Sequence, residues 1–276
     1  MRGLQWSWPI IAGLILLYLP TYVDLARTFW TQEAGSHGPL VLIVVAWLLW
    51  TKRASIMAAD GDVRPGLGGA LLAFGLVCYI VGRSQTLYVM ETFSQIPVLA
   101  GTLLLVKGMR TVRAVWFPIA FLLFVIPLPG SLLDPILLPL KQMVSGWVDA
   151  LLYAAGYPIS RSGVVLQVGQ YQLLIANACS GLHSLIGLSA VGVLSVYLMR
   201  RSHPMHNILL LASIIPIAIL ANVLRVTTLV LGTYHFGSDT GAYLHDVMGY
   251  LEILFAFVAF MMADTILSHV FPERRL

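Results

Sequence analysis

The stretch Asn207–Gly232, NILLLASIIPIAILANVLRVTTLVLG, runs for 26 residues with one formal charge, Arg225. About 20 consecutive apolar residues cross a bilayer as a helix, so this segment spans with residues to spare. Seven further apolar runs lie at 8–23, 38–51, 66–82, 88–106, 114–128, 181–199 and 246–267. The run at 38–51 is short, and needs Ser36-His37-Gly38-Pro39 before it or Thr51 after it to reach across. The chain of 276 residues is 59% hydrophobic and only 10% charged, whereas a soluble domain carries about 25% charged residues. Too few charges remain to clothe a water-soluble surface, so lipid must cover most of it. Spanning segments are then helices or a closed barrel, and continuous rather than alternating apolar runs select helices. The expected fold is an all-α integral membrane protein of about eight transmembrane helices, one domain over 1–276, with its functional core at about 114–267.

A net charge of +4 is no nucleic-acid signature, because the positive residues sit in short clusters between apolar runs. There they act as topology signals. Arg2 precedes an apolar stretch from Pro9 to Tyr22 with no small-residue cleavage site after it, which reads as a retained first span. Of two cysteines, Cys78 lies within LLAFGLVCYIV and reads as a small core residue. Two cysteines make no disulfide framework. No metal or cofactor is expected.

Segment 136–156 is long enough to span, yet Lys141, Ser145 and Asp149 recur every fourth residue beside Gln142. That polar stripe suits an amphipathic helix lying in the interface or lining a cavity. Charge bias favours the non-crossing arrangement. Both termini then face inward, with eleven basic residues inside: Arg2, Lys52, Arg53, Arg64, Lys107, Arg110, Arg113, Arg200, Arg201, Arg274 and Arg275. Arg27, Arg83, Arg161 and Arg225 face outward, with Lys141 on the interfacial helix. His203 and His206 then fall in a solvated inner loop. Segments 157–180 and 233–245 lie outside. Within 157–178, VVLQV and YQLLI flank Gly169-Gln170, which predicts a short β-hairpin leading directly to Cys179.

Cys179 sits in Asn177-Ala178-Cys179-Ser180-Gly181-Leu182-His183, where hairpin gives way to helix. Unpaired N–H groups and the dipole at a helix start stabilise a thiolate. Arg225, in Asn222-Val223-Leu224-Arg225-Val226-Thr227-Thr228, lies about two turns from the outer end of its helix. An ionised guanidinium at the centre of a membrane costs about 2.5 kcal/mol or more, and less toward the interface. Either it snorkels, or an inward polar site with Asn222 and Thr228 retains it. His245, followed by Asp246, opens the last span. A thiolate attacks a carbonyl, an imidazole exchanges the proton, and a fixed cation stabilises the oxyanion. His183, four residues after Cys179 on the same face, is a second candidate base or thiolate partner. Ser180, Asn222 and Asp246 are auxiliary candidates. Glu252, six residues beyond Asp246, either lines the same cavity or pairs structurally.

At these residues the chain resembles the exosortase/archaeosortase family. Ala178-Cys179-Ser180-Gly181, Asn222-Val223-Leu224-Arg225-Val226 and His245 look like its three signature blocks. Ser36-His37-Gly38-Pro39-Leu40, Trp47-Leu48-Leu49-Trp50 and Phe117-Pro118 through Pro127 are similar to it as well. The resemblance implies Cys179 as nucleophile, Arg225 as the family arginine and His245 as base. It implies a bacterial inner-membrane enzyme whose site faces the periplasm. The implied partners are the C-terminal sorting-signal peptides of exported proteins (a Pro-Glu-Pro-type motif, a transmembrane helix and a basic tail), membrane lipids and an envelope acceptor. Asn177 stands where an acidic residue is frequent, and His183 where a basic one is. Two other readings use the same features: a thiol-dependent acyl or lipid transferase, and a non-catalytic component of envelope polysaccharide export.

Overall fold

In the computed structural model, residues 8–31, 35–58, 61–174, 184–199 and 203–271 are described. They divide into two units, Met1–Pro129 and Gly130–Leu276. The first unit holds α1 (Trp8–Thr28), α2 (Gly38–Thr51), α3 (Arg53–Ala58), α4 (Pro65–Ser84), α5 (Tyr88–Phe93), α6 (Gln95–Val106), α7 (Met109–Ala114) and α8 (Trp116–Phe121), closed by a 3-10 turn at Leu122–Val125. The second holds α9 (Gly130–Ala154), strands β1 (Ile159–Ser162), β2 (Val165–Val168) and β3 (Tyr171–Leu174), then α10 (Ser184–Met199), α11 (Pro204–Ala212), α12 (Ile214–Phe236) and α13 (Ser238–Val270).

Among the described residues, four helical stretches are long and apolar enough to cross a membrane: Trp8–Thr28, Pro65–Ser84, Tyr88–Val106 and Pro204–Phe236. The other four predicted spans coincide with shorter apolar helices, Gly38–Thr51, Trp116–Val125, Ile186–Met199 and Leu254–Val270. Pro127 and Pro129 curtail the Trp116–Val125 segment, since proline removes a donor and disfavours helix in the residue before it. Leu16, Ile43, Ile80, Ile215, Leu254 and Met262 are all more than half exposed. An apolar exterior of this extent needs lipid against it.

Two of the long stretches bend at the same device. Ser94 stands three residues before Pro97, and Ser213 three before Pro216. Each serine hydroxyl donates to the carbonyl three residues back, Ser94 to Glu91 at 2.5 Å and Ser213 to Leu210 at 2.7 Å. Each proline lacks the N–H that would close the next helical bond. A serine back-bond and a missing donor together break the ladder, dividing α5 from α6 and α11 from α12.

In the first unit, α4 meets α6 through glycine. A Cβ on Gly75 would lie 2.6 Å from the Val98 side chain, and one on Gly101 would lie 2.6 Å from the Leu72 backbone N. Small residues let spanning helices approach closely. A buried polar seam joins α1 to α4, α5 and α6. Tyr18 bonds Ser94 at 2.8 Å, Thr21 donates to Glu91 at 2.6 Å, and Tyr22 donates to Gln95. Arg83 bridges Asp24 at 2.6 Å and Glu91 at 3.2 Å. Cys78 is buried, as expected of a core residue. The loops on the opposite side also touch: Lys52 Nζ donates to the Ala114 carbonyl at 2.7 Å, and the Met109 N–H to the Asp62 carbonyl at 3.1 Å. His37 of the Ser-His-Gly-Pro stretch bonds the Phe124 carbonyl at 3.0 Å, joining two of the family-like blocks.

In the second unit, one core gathers α9, the sheet and α12: Leu137, Val144, Val148 and Leu152 meet Ile159, Leu166, Val168, Val226 and Val230. The predicted amphipathic helix begins six residues earlier than expected, at Gly130. It carries Pro135 and Pro139, both exposed and four residues apart, so the lost bonds fall on one outer face and the helix continues. Ser145 of the polar stripe is fully buried and donates to the Gln142 and Gly163 carbonyls at 2.9 and 3.2 Å. The stripe is thus spent partly on docking the sheet.

That sheet is an antiparallel β1-β2-β3 meander rather than a hairpin. The expected pair is present as β2 and β3, in register from Val165↔Leu174 to Val168↔Tyr171. The missed strand, Ile159-Ser160-Arg161-Ser162, is an edge with only Ile159 buried. It carries no apolar alternation to betray it. Both turns place glycine first, Gly163 at φ +62° and Gly169 at φ +56°, the positive-φ position of two-residue hairpin turns. The segment 233–245, expected to lie outside the membrane between the last two spans, is helical except at Gly237. There φ is +88°, and the chain reverses from α12 into the 33-residue α13. At 1.5 Å per residue α13 is about 50 Å long, well beyond a hydrocarbon core of about 30 Å. Its polar first turns can therefore stand clear of lipid. His245 accordingly lies in the third turn of a helix instead of opening one.

Candidate functional site

The lone charge of α12 is not a snorkelling one. Arg225 is 3% exposed, and its Nη1 donates to Glu252 Oε2 of α13 at 3.0 Å, with Glu252 itself 5% exposed. Such a pair is the expected solution for two ionised groups in an apolar setting, because each removes much of the other's desolvation cost. The local sequence explains the placement. Ala218, Asn222, Arg225 and Leu229 follow one another by three or four residues along α12, and all are buried. Val223, Val226 and Val230 turn instead into the core shared with α9 and the sheet. One helix thus presents an apolar face to the sheet and a polar-bearing face to α13.

The two helices run antiparallel. Arg225 faces Glu252, and seven residues on, a Cβ at Gly232 would lie 2.2 Å from Leu244. The bare glycine lets α13 pack directly onto the C-terminal part of α12. His245 follows Leu244 and precedes Glu252 by seven residues, or two turns, about 10 Å along the axis. His245 and Asp246 are described by backbone only. Cys179, Ser180 and His183 lie outside the described residues, as do Asn177 and Ala178. The next described element, α10, starts at Ser184, and its Leu188 packs in one core with Ala218, Ala221, Ala256 and Phe260. Of the predicted set, the structure therefore brings Arg225 and Asn222 onto one buried stripe, with Glu252 opposite.

Asn222 is fully buried, and neither its Nδ2 nor its Oδ1 has a hydrogen-bond partner. Thr228, expected beside the arginine, is exposed and donates to the Leu224 carbonyl at 2.9 Å, which is ordinary helix back-bonding.

A second buried pair went unforeseen. His206, read as solvated, is 1% exposed and bonds Asp264 at 2.8 Å. Pro204 starts α11, so the polar loop ends before His206 and the histidine falls on the helix's inner face. Glu252, Ala256, Phe260 and Asp264 recur every fourth residue and are all buried, so both carboxylates lie on one line of α13. The available signal was their i+12 spacing within an apolar helix, since an acid there requires a partner. The two basic partners come from α12 and α11, and together the pairs fix how α13 seats against both.

A family model described as a transmembrane exosortase matches residues 29–262, most of the chain. No curated protein and no solved structure matches. The matched span contains Arg225, Asn222 and Glu252, as well as the Cys179 block and His245.

Proposed function

The chain belongs to the transmembrane exosortase family, and from that premise we propose a membrane-embedded cysteine transpeptidase or protease acting on exported proteins. Its substrates carry a C-terminal sorting signal: a Pro-Glu-Pro-type motif, a transmembrane helix and a basic tail. The Cys179 thiolate attacks the carbonyl at the motif after His245 takes the thiol proton. Arg225 stabilises the oxyanion that forms. The intermediate collapses, the C–N bond breaks, and His245 returns the proton to the departing amine, leaving a thioester on Cys179. An envelope nucleophile, or water, then attacks the thioester and frees the thiol.

The observation that carries this reading is the guanidinium of Arg225, 3% exposed and held by Glu252. A cation fixed in a low-dielectric site acts on developing negative charge far more strongly than one in water. Co-expression with an exported reporter bearing such a tail tests it. Wild type should shorten the reporter, and Cys179→Ala should leave it full length. Equal processing by Cys179→Ala would remove the enzyme reading.

The proposed topology has eight crossings, both termini in the cytoplasm, and the catalytic end on the periplasmic side of the inner membrane. Contacts between segments assigned to one side support it. Lys52 reaches Ala114 on the inner side, while Arg83 reaches Asp24 on the outer side. Tyr157 lies 3.3 Å from His235, also on the outer side. In a cysteine-free background, an impermeant thiol reagent should label Ser162→Cys in intact cells and spare Ser202→Cys. The opposite pattern would invert the arrangement.

A further inference from the structure

A carboxamide with no partner in a closed apolar core is an expensive group to keep. Asn222 is fully buried, and neither its donor nor its acceptor is engaged. Buried polar groups in folded proteins are almost always satisfied, and an exception calls for a reason. Helix formation supplies none, because an apolar side chain would suit a helix bordered by lipid and core without leaving a donor and an acceptor unpaired. Asn222 also stands one turn before Arg225 on the stripe that faces α13. Ala218 and Ala221, near it on α12, share a core with Ala256 and Phe260 of α13 and Leu188 of α10. Unlike Asn222, Ser145 and Ser213 satisfy themselves on backbone carbonyls.

We propose that Asn222 is a substrate-binding residue whose carboxamide pairs with the main chain of the sorting-signal peptide; this rests on the exosortase reading above. The ligand class follows from the group. A primary amide offers N–H donors and a carbonyl acceptor without charge, the complement of one peptide unit. An anionic ligand would be served by the neighbouring guanidinium and would leave the carbonyl oxygen of Asn222 unmatched. One helical turn separates Asn222 from Arg225, about 4.5 Å along the axis. An extended peptide advances about 3.3 Å per residue. Asn222 therefore reads a peptide unit one or two residues from the carbonyl at Arg225, which holds the extended substrate in register. Asn222 is fully covered in this structure, so the peptide reaches it only when the packing around this stripe opens.

The test compares Asn222→Leu with wild type, using the full chain in detergent for thermal unfolding and in membranes for processing of the tailed reporter. Removing an unsatisfied amide should leave the thermal midpoint unchanged or raise it by about 2–4 °C. Losing the main-chain pair should raise KM for the reporter by roughly tenfold or more, with a smaller fall in kcat. Asn222→Ala should raise KM in the same way, which guards against a failure peculiar to leucine. A clear fall in thermal midpoint with Asn222→Leu would make the residue structural and overturn the proposal. So would an unchanged KM, which would mean that the amide makes no pair with the substrate. A wild-type protein that leaves the reporter uncut, as Cys179→Ala does, would instead overturn the exosortase reading itself.

Discussion

Arg225→Lys is expected to lower processing by about 10²–10³-fold while membrane levels stay near wild type. Lysine keeps the charge opposite Glu252, so the buried pair survives in a weaker form. It does not keep the planar guanidinium, whose several fixed donors match an oxyanion beside a carboxylate, whereas an ammonium is a compact point charge. The size of the loss is that of one oxyanion donor. Arg225→Ala should behave differently. It strands Glu252 in a site where that carboxylate is 5% exposed, and breaking a buried pair by removing one partner costs about 3–5 kcal/mol. The stability term can be separated from the catalytic one by replacing both partners with leucine. An apolar substitute for a buried ion pair is frequently neutral or stabilising, so Arg225→Leu with Glu252→Leu should accumulate normally and process nothing. Near-normal turnover by the lysine variant would mean that Arg225 supplies charge alone. Turnover by the double leucine variant would make the pair architectural.

The second large effect separates two histidines. His245→Gln should abolish turnover, as expected when a general acid–base worth about 10²–10⁴-fold is lost, while His183→Gln should lower it only partly. His245 belongs to α13 next to Leu244, which packs on Gly232 toward the C-terminal end of α12. That end is where the proposed topology lets a periplasmic peptide approach and its leaving amine depart. His183 follows Cys179 by four residues, and the proposed topology assigns it to the membrane side of the sulfur. Protein levels in the membrane must match in both variants for the comparison to hold. If the severities come out reversed, His183 is the base and the assignment of His245 is wrong.

Sequence carried the placement of apolar helices because a spanning segment is read from length and continuity, and those survive any tertiary arrangement. It carried Arg225 for a related reason: one charge in a largely apolar stretch of 26 residues has few physical explanations. Partners were harder to read. Its place in an apolar helix marks Glu252 as a cavity or pairing residue, but its pairing with Arg225 depends on how α12 and α13 align, which Gly232 and Gly237 govern through close approach and reversal. His206 was misread because Arg200, Arg201 and His203 precede it and make the segment look like a solvated loop. Its burial depends on Pro204 starting a helix and on Asp264 standing opposite. The strand Ile159–Ser162 and the helical turns at 238–245 share one cause. Both are polar where regular structure is usually announced by apolar periodicity, and their regularity comes from neighbouring elements rather than from their own composition.

The central claim is that the thiol of Cys179 forms an acyl bond with a substrate peptide. Mass spectrometry of the protein, acid-quenched shortly after mixing with a tailed reporter, reads that bond directly. The account predicts that the Cys179-containing fragment gains the mass of the reporter's N-terminal portion through a hydroxylamine-sensitive thioester, and that Cys179→Ser lacks this adduct. A fatty-acyl mass on Cys179 would identify a lipid transferase instead, and reporter cleavage that continues in Cys179→Ser without any adduct would contradict the account outright.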